Sequence, residues 1–169
     1  MLPDAFKEFI ELLEKHETKY LVVGGYAVAA HGYPRYTGDI DLFVAIGSDQ
    51  ASGIVKAFRE FGFKDLDVTE DDFLSDDMIV EIGREPLKIQ VMTGISGVTF
   101  EECYESRVEF DLGGKNRPFI AYKHLLKNKI ATKRGKDKVD VEELMKRNTT
   151  QAEQVNPMTI PKNPKNQPD

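Results

Sequence analysis

Two aspartates occupy alternate positions in a segment that otherwise has the composition of a buried strand. Asp39 and Asp41 lie within DIDLFV, where Ile40 separates them and Leu42 follows. Side chains alternate along a strand, so both carboxylates face one side and both apolar residues face the other. Two like charges held this close repel and raise one pKa unless a positive charge lies between them. The pair therefore indicates a site for a hard divalent cation such as Mg²⁺, which prefers carboxylate oxygens and keeps waters for a substrate phosphate.

A glycine pair lies upstream of the aspartates. Gly24 and Gly25 follow the apolar run 19–23 and precede a short run of small residues, and Thr37 and Gly38 stand directly before the acidic pair. A turn without side chains lets backbone amides approach an anion, and a helix N-terminus adds a favourable dipole. Each feature alone is more typical of a plain turn or a solvated strand edge. Their order in the chain favours a site for a nucleoside triphosphate with Mg²⁺.

The elements that must position these residues follow from the hydrophobic pattern, which predicts a mixed α and β domain. Apolar residues at helical spacing predict helices over 3–15, 26–32, 50–61, 99–105, 122–133 and 137–147. Strands are predicted over 19–23 and 39–46, over a hairpin of 78–83 and 87–92, and over 107–112 and 117–121. We expect Ser48 or Asp49 to cap the third helix and Gly62 to end it.

Length and composition predict one globular domain. The chain has 169 residues, of which 40% are apolar, and its formal charge of -6 argues against a protein that coats nucleic acid by bulk electrostatics. A single cysteine excludes an intramolecular disulfide, and no apolar run approaches the roughly 18 residues that span a bilayer. We therefore expect a cytoplasmic protein with no membrane segment. Four prolines and few large apolar residues predict a flexible tail over 148–169, after a domain over 1–147 whose C-terminal helices begin near residue 122.

The glycine pair followed by T-x-D-I-D-L resembles the signature of the nucleotidyltransferase fold of the DNA polymerase β superfamily. The similarity covers most of residues 17–147, including MTGISGVTFEECYESR and KIATKRGKDKVDVEEL, and is greatest to small stand-alone members of the abortive-infection and toxin type. The resemblance implies an α/β (α+β) fold, a small twisted mixed sheet flanked by helices. It also implies binding of a nucleoside triphosphate with Mg²⁺ and transfer of a nucleotidyl group to an acceptor hydroxyl, with release of pyrophosphate. In this reading Gly24 and Gly25 hold phosphates, and Asp39 and Asp41 hold the metal.

Gln90 departs from that pattern. The family usually has a third acidic residue on a neighbouring strand, and Gln90 stands at the matching position in LKIQVMTGISG. An amide can accept a metal bond, but it carries no charge and cannot act as a base. Three readings stay open. The enzyme is slower because the acceptor loses its proton unaided; or Glu81 replaces the missing carboxylate, if the hairpin register puts 81 opposite 90; or the domain binds nucleotide without transfer, as a partner or regulator.

The two C-terminal helices carry a local excess of positive charge. Residues 123–138 contain seven Lys or Arg and one acid. A solvated helix face is the plain interpretation. The resemblance suggests that Lys129 and Lys133 neutralise the triphosphate, and an RNA acceptor is the second functional interpretation. Arg35, in the loop before the acidic pair, is a further candidate for phosphate, whereas Asp137 and Asp140 are expected to pair locally.

The identity of the acceptor stays open between RNA, a protein side chain and a small molecule, and a homo-oligomer or a partner protein is a candidate source of specificity. The stretch 65–77 holds seven acids and is expected to be a solvated loop that repels nucleic acid. His31 is expected to end the short helix rather than act as a base. A structural domain with a surface acidic pair is the weakest alternative.

Overall fold

The computed structural model of the protein describes the backbone of residues 1–154 and the side chains of residues 1–149. Six α-helices surround one sheet, and a short 3₁₀ helix (Glu70–Leu74) follows the third of them. The helices are α1 (Asp4–Lys15), α2 (Gly24–Ala30), α3 (Ser48–Phe61), α4 (Phe100–Glu105), α5 (Tyr122–Thr132) and α6 (Gly135–Gln154). None of the helices in this part of the chain combines the length and the hydropathy that crossing a bilayer requires.

The sheet has six strands and mixes parallel and antiparallel pairs, as expected. The strands are β1 (Tyr20–Val23), β2 (Asp39–Val44), β3 (Ile79–Arg84), β4 (Leu87–Met92), β5 (Val108–Asp111) and β6 (Asn116–Phe119). Their order across the sheet is β3-β4-β2-β1-β6-β5. Strand β2 pairs antiparallel with β1 and parallel with β4, so the strand that carries the two aspartates lies near the centre of the sheet.

The central strands are buried on both faces because helices cover both sides of the sheet. All four residues of β1 are buried, and so are the last three residues of β2. Successive residues of a strand point to opposite faces, so such runs require cover on each side. Aromatic contacts tie the helices together, with the rings of Phe9 in α1 and Phe58 in α3 5.1 Å apart. This packing fixes β2 and therefore the position of its carboxylates.

Most of the predicted elements are confirmed, with shifts at their ends. Helix α2 begins at the glycine pair itself rather than after it. Helix α3 begins at Ser48, two positions before its predicted start. The expected cap by Ser48 or Asp49 was wrong, because Gly47 is the N-cap residue and no side chain caps the helix. Gly62 ends α3 in the left-handed conformation (φ 118°), as predicted. Helix α6 continues past residue 147 to Gln154, so it includes the first residues of the predicted tail, and 155–169 lie outside the described residues.

Six of the seven acids in 65–77 are exposed, as expected of a solvated segment, but the segment is not a plain loop. The 3₁₀ helix Glu70–Leu74 begins with a reciprocal cap between Thr69 and Asp72. Phe73 in the same helix is fully buried, with its ring stacked on that of Phe58 at 5.9 Å. One apolar residue therefore anchors this acidic segment to the core, while its acidic side chains remain largely exposed.

Candidate active site

A cleft of about 950 Å³ opens over the middle of the sheet. Its lining includes Asp39 and Asp41, which are partly buried, while the alternate residues Ile40 and Leu42 are fully buried in the core. The alternation predicted from the sequence is therefore present. The apolar residues hold the strand in the core, and the two carboxylates face the same cleft.

The glycine pair is packed directly against the acidic pair. Gly24 has φ +64°, and a Cβ placed on it would lie 2.0 Å from Oδ2 of Asp41. A Cβ on Gly25 would lie 2.8 Å from Oγ1 of Thr37, and that hydroxyl donates to the backbone oxygen of Asp39 at 3.0 Å. Only glycine fits both positions, because the turn approaches these side chains too closely for any other residue. Glycine pair, threonine and aspartates thus form one unit at the floor of the cleft.

The environment of Asp41 disfavours its charged form. Burial raises the pKa of this carboxyl to about 6, and the neighbouring negative charge of Asp39 adds to the increase. The positive charges of Lys129, Arg134 and Lys136 act in the opposite direction but do not restore the ordinary value. The acidic pair is therefore under-compensated by the protein's own cations, which is the electrostatic signature expected of a cation site.

Gln90 lies beside Asp41, and Glu81 lies beside Gln90. The register pairs Asp41 with Gln90 across β2 and β4, and Gln90 with Glu81 across the hairpin. This is the register that the Glu81 reading required. Nε2 of Gln90 donates to Oε2 of Glu81 at 2.8 Å, and Nζ of Lys88 lies 3.1 Å from Oε1 of the same carboxylate. These hydrogen bonds lower the pKa of Glu81, which makes it a weaker base, and Glu81 is not among the residues that line the cleft.

Lys129 and Arg35 line the cleft, but their charges are already paired. Lys129 is only 6% exposed, and its Nζ lies 2.7 Å from Asp137 and 3.1 Å from Asp140. Arg35 forms a two-point pair with Asp140, at 2.8 Å from Nε and 2.9 Å from Nη2. The expected local pairing of the two aspartates is present with Lys129, whereas the pairing of Asp140 with Arg35 joins residues 105 positions apart. Phosphate binding by Lys129 and Arg35 remains a prediction, and this pairing opposes it.

Asp137 is the opposite of Asp41 in its electrostatics. Burial alone would raise its pKa, but hydrogen bonds from Lys129 at 2.7 Å and from Thr132 at 2.6 Å, together with the positive charge of Lys129 and a bond from Arg134 at 2.8 Å, hold the pKa at about 2. This carboxylate is ionised and fully engaged. It organises the corner between α5 and α6 at the wall of the cleft.

Lys133 does not line the cleft, although two of its neighbours do. It adopts the left-handed conformation (φ 57°) that ends α5, and its side chain is exposed. Arg134 and Lys136 do line the cleft and are also exposed. Besides Lys129, the basic segment identified in the sequence therefore contributes two residues to the cleft that we did not single out.

The outer part of the cleft contains residues that sequence reasoning missed. Asp76 and Asp77 line it, and their segment is held against β4 because the backbone oxygen of Asp76 packs on Gly94. Gly94 lies four residues beyond Gln90, about 13 Å along an extended chain. The loop after β4 lines the cleft as well, and Asn128 donates to the backbone oxygen of Ser96 at 2.9 Å. The only signal in the sequence was the position of this loop directly after the strand that carries Gln90.

His31 is the C-cap residue of α2, as expected. Its Nε2 lies 2.8 Å from the backbone oxygen of Ile120, and burial lowers the pKa of the imidazole. The ring packs edge-on against Phe110 at 5.1 Å. These contacts point the ring into the fold, and His31 is not among the residues that line the cleft.

The residues at the floor of the cleft fit a magnesium ion bound together with its substrate. Among the described residues, no group of three or more His, Cys, Asp or Glu side chains is arranged to hold a metal ion alone. Mg²⁺ commonly takes only one or two carboxylates and completes its octahedron with waters and substrate phosphates. Asp39 and Asp41 supply that number, and the amide oxygen of Gln90 is a neutral ligand beside them.

Comparisons with known proteins give similarity in fold. The chain is similar to a candidate nucleotidyltransferase from Thermotoga maritima, with 14% identity over 88% of this chain and 89% of that one and a TM-score of 0.49. It is also similar to an antigenic nucleotidyltransferase-like protein from Paracoccidioides brasiliensis, with 14% identity, 84% and 75% coverage and a TM-score of 0.46. No protein-family model and no curated protein matches the chain.

Proposed function

We propose that the cleft binds a nucleoside triphosphate with Mg²⁺ through Asp39 and Asp41, and that the chain is a nucleotidyltransferase-type domain. The observation that carries the proposal is the acidic pair itself. Two carboxylates share one face of a central strand, the bare backbone of Gly24 packs against one of them, and its pKa is raised to about 6. A volume of about 950 Å³ also lies within the range of small-molecule and cofactor sites.

Each residue at the floor has a defined part in this proposal. Bound Mg²⁺ would neutralise the acidic pair and polarise the phosphorus of the substrate. Gly25 and Thr37 fix the segment that leads into β2, because Oγ1 of Thr37 donates to the backbone of Asp39. A phosphate contact from the glycine amides remains part of the proposal. The close packing of Gly24 on Asp41 shows that the glycine is also required to accommodate the carboxylate.

The proposed reaction is attack by an acceptor hydroxyl oxygen on the α-phosphorus. The new P–O bond forms as the bond to the β-phosphate oxygen breaks, pyrophosphate leaves with the electron pair, and the hydroxyl proton passes to water. Gln90 cannot take that proton. Glu81 is held by Gln90 and Lys88 in a form that favours its charged, weakly basic state. A transferase built in this way lacks the contribution of about 10²–10⁴ in rate that a positioned base supplies.

The lack of a base at position 90 also supports a second candidate, a nucleotide-binding module without transfer. Gln90 occupies the position next to Asp41 where a third carboxylate would complete the acidic cluster, and its amide is engaged with Glu81. A module of this kind would bind the nucleotide with Mg²⁺ and act as a partner or regulator.

Calorimetry with ATP, GTP, CTP and UTP, with and without Mg²⁺, tests the shared part of both candidates. We expect binding that requires Mg²⁺ and that Asp39→Asn abolishes. A change of Asp49 to Asn is the matched control, because it removes one exposed acid in α3 and leaves the cleft intact. Equal binding by the Asp39 variant and the wild type would disprove the proposed site.

Incorporation of a nucleotide labelled at the α-phosphate separates transferase from binding module. We expect Gln90→Asp to raise Mg²⁺-dependent incorporation by about 10²-fold, because it places a carboxylate beside Asp41. Nucleotide binding without incorporation by either form would leave the binding module as the function.

A further inference from the structure

The four basic side chains that line the cleft differ in how far the protein already uses their charge. Arg35 and Lys129 are paired at short distances with buried aspartates, and Lys129 is 6% exposed. The side chain of Arg134 is 72% exposed, and Lys136 is exposed as well. An incoming anion can therefore contact Arg134 and Lys136 without breaking a buried ion pair. Loss of one partner from a buried ion pair is strongly destabilising.

Arg134 uses few of its hydrogen-bond donors, and Lys136 forms no ion pair with the residues that the structure describes. Within the described part of the chain, the ion pair of Arg134 runs from Nε to Oδ2 of Asp137 at 2.8 Å, which uses one of five guanidinium N–H groups. The structure gives Lys136 no ion pair among those same residues. Both side chains thus keep their positive charge available at the rim of the cleft.

Asp137 holds the side chain of Arg134 in place at the edge of the cleft. Its carboxylate is 2% exposed and accepts hydrogen bonds from Lys129, Thr132 and Arg134. A buried and fully ionised acceptor sets the direction of the guanidinium before a ligand arrives. Binding to a side chain that is already held in place loses less conformational entropy.

Arg134 and Lys136 share the cleft with the acidic floor. Both side chains line the same cavity as Asp39 and Asp41. A phosphate chain that starts at Asp39 and Asp41 and extends away from them would therefore meet these two residues along the same cleft.

We propose that Arg134 and Lys136 bind the outer phosphates of the nucleoside triphosphate, with Asp137 as the positioning residue for Arg134. This inference rests on the proposed function and assigns the phosphate contact to residues other than Lys129 and Lys133. It makes the ligand class a polyphosphate, because a monophosphate held at the acidic pair would not extend to the rim.

The test compares Mg²⁺-dependent binding of ATP, AMP and inorganic tripolyphosphate to full-length variants. Arg134→Ala and Lys136→Ala are the test variants, and Lys138→Ala is the matched control. Lys138 belongs to the same helix as Lys136 and is exposed, but it does not line the cleft. Its removal changes the net charge by the same amount as either test variant. Thermal melting of each variant checks that the fold is retained, and Arg134→Lys keeps the charge if the alanine variant is unstable.

We expect each test variant to weaken ATP and tripolyphosphate binding by about tenfold or more, the effect of losing a charged hydrogen bond. AMP binding should be unchanged, Arg134→Lys should lie between wild type and alanine, and Lys138→Ala should match the wild type. Equal losses for AMP and ATP would overturn the inference, since they would place the contact on the nucleoside. Losses no larger than that of Lys138→Ala would also overturn it while leaving the proposed function intact, whereas a wild-type protein that binds no nucleotide would overturn both.

Discussion

The floor of the cleft and the corner between α5 and α6 each hold two aspartates out of bulk solvent, yet they treat them in opposite ways. Burial, together with the neighbouring charge of Asp39, raises the pKa of Asp41 to about 6. Asp137 and Asp140 are surrounded by cationic donors, and the pKa of Asp137 falls to about 2. The protein's own cations compensate the negative charges of the corner, whereas they do not fully compensate those of the floor. A cation site is therefore recognised by negative charge that the protein's own cations do not compensate, rather than by its number of acidic residues.

Loss of a carboxylate from the corner should be the most damaging change. Asp140→Asn keeps the shape of the side chain but leaves Arg35 without its two-point partner and Lys129 with one partner instead of two. Breaking a buried ion pair by removing one member costs about 3–5 kcal/mol. We expect a loss of that size in the free energy of unfolding, measured by urea denaturation.

The control for this variant is Glu142→Gln, which removes an exposed acid from the same helix. Its effect should stay within about 0.5 kcal/mol. An Asp140→Asn protein as stable as this control would show that the corner is not the complete, stabilising structure described above.

The same substitution at the floor should have the opposite sign. A carboxyl whose pKa is about 6 when folded, against an ordinary 3.8, binds more protons in the folded than in the unfolded state between those values. Stability without metal therefore falls as pH rises from about 4 to 6, and the cost persists above pH 6. Asp41→Asn removes the charge, so the variant should be more stable at pH 8 by up to about 3 kcal/mol.

The measurement is urea denaturation in EDTA at pH 4 and pH 8, because bound Mg²⁺ would mask the cost of the charge. Near pH 4 the Asp41 variant and the wild type should differ little. A variant that is less stable than the wild type at pH 8 would contradict the idea of an under-compensated floor. Two Asp→Asn changes with opposite signs are the sharpest form of the comparison.

Gly24→Ala tests how tightly the floor is packed. The change combines a positive φ of 64° with a Cβ that would lie 2.0 Å from the Asp41 carboxylate. Gly114→Ala is the matched control, because Gly114 has φ +86° and open space where its Cβ would go. The strained backbone alone costs about 1–2 kcal/mol in either variant. We expect Gly24→Ala to cost about 2 kcal/mol more than the control, as overpacking typically does.

A double-mutant cycle identifies the partner in that contact. In an Asp41→Ala background the extra cost of Gly24→Ala should largely disappear, because the clashing carboxylate is gone. If the extra cost were unchanged, the tight approach between the turn and the carboxylate would not be what requires glycine at this position.

The order of the elements along the chain and the shared face of the two aspartates could be predicted from the sequence. Each depends on a local pattern, which alternation, glycine positions and helical spacing reveal. The electrostatic state of Lys129 and Arg35 could not be predicted in this way. The partner of Arg35 is Asp140, 105 residues away, so only the packed fold brings the two together. The acidic segment is exposed as predicted, but the burial of Phe73 within its short helix was not foreseen.

Substitutions of Lys133 should have the smallest effect on stability. They separate the contribution of the backbone conformation from that of the side-chain charge in the basic segment. Its residue ends α5 with φ 57°, a conformation that glycine adopts without cost and that other residues disfavour. Lys133→Gly should therefore raise the free energy of unfolding by about 0.5–1 kcal/mol, whereas Lys133→Ala keeps the strained backbone and should not. Both variants lose the same charge, so a difference between them in urea denaturation reports the backbone alone. Since Lys133 does not line the cleft, neither variant should change Mg²⁺-dependent ATP affinity. A loss of ATP affinity shared by both variants would instead assign the charge of Lys133 to the phosphate site. The region that receives charge from the ligand would then include the junction between α5 and α6.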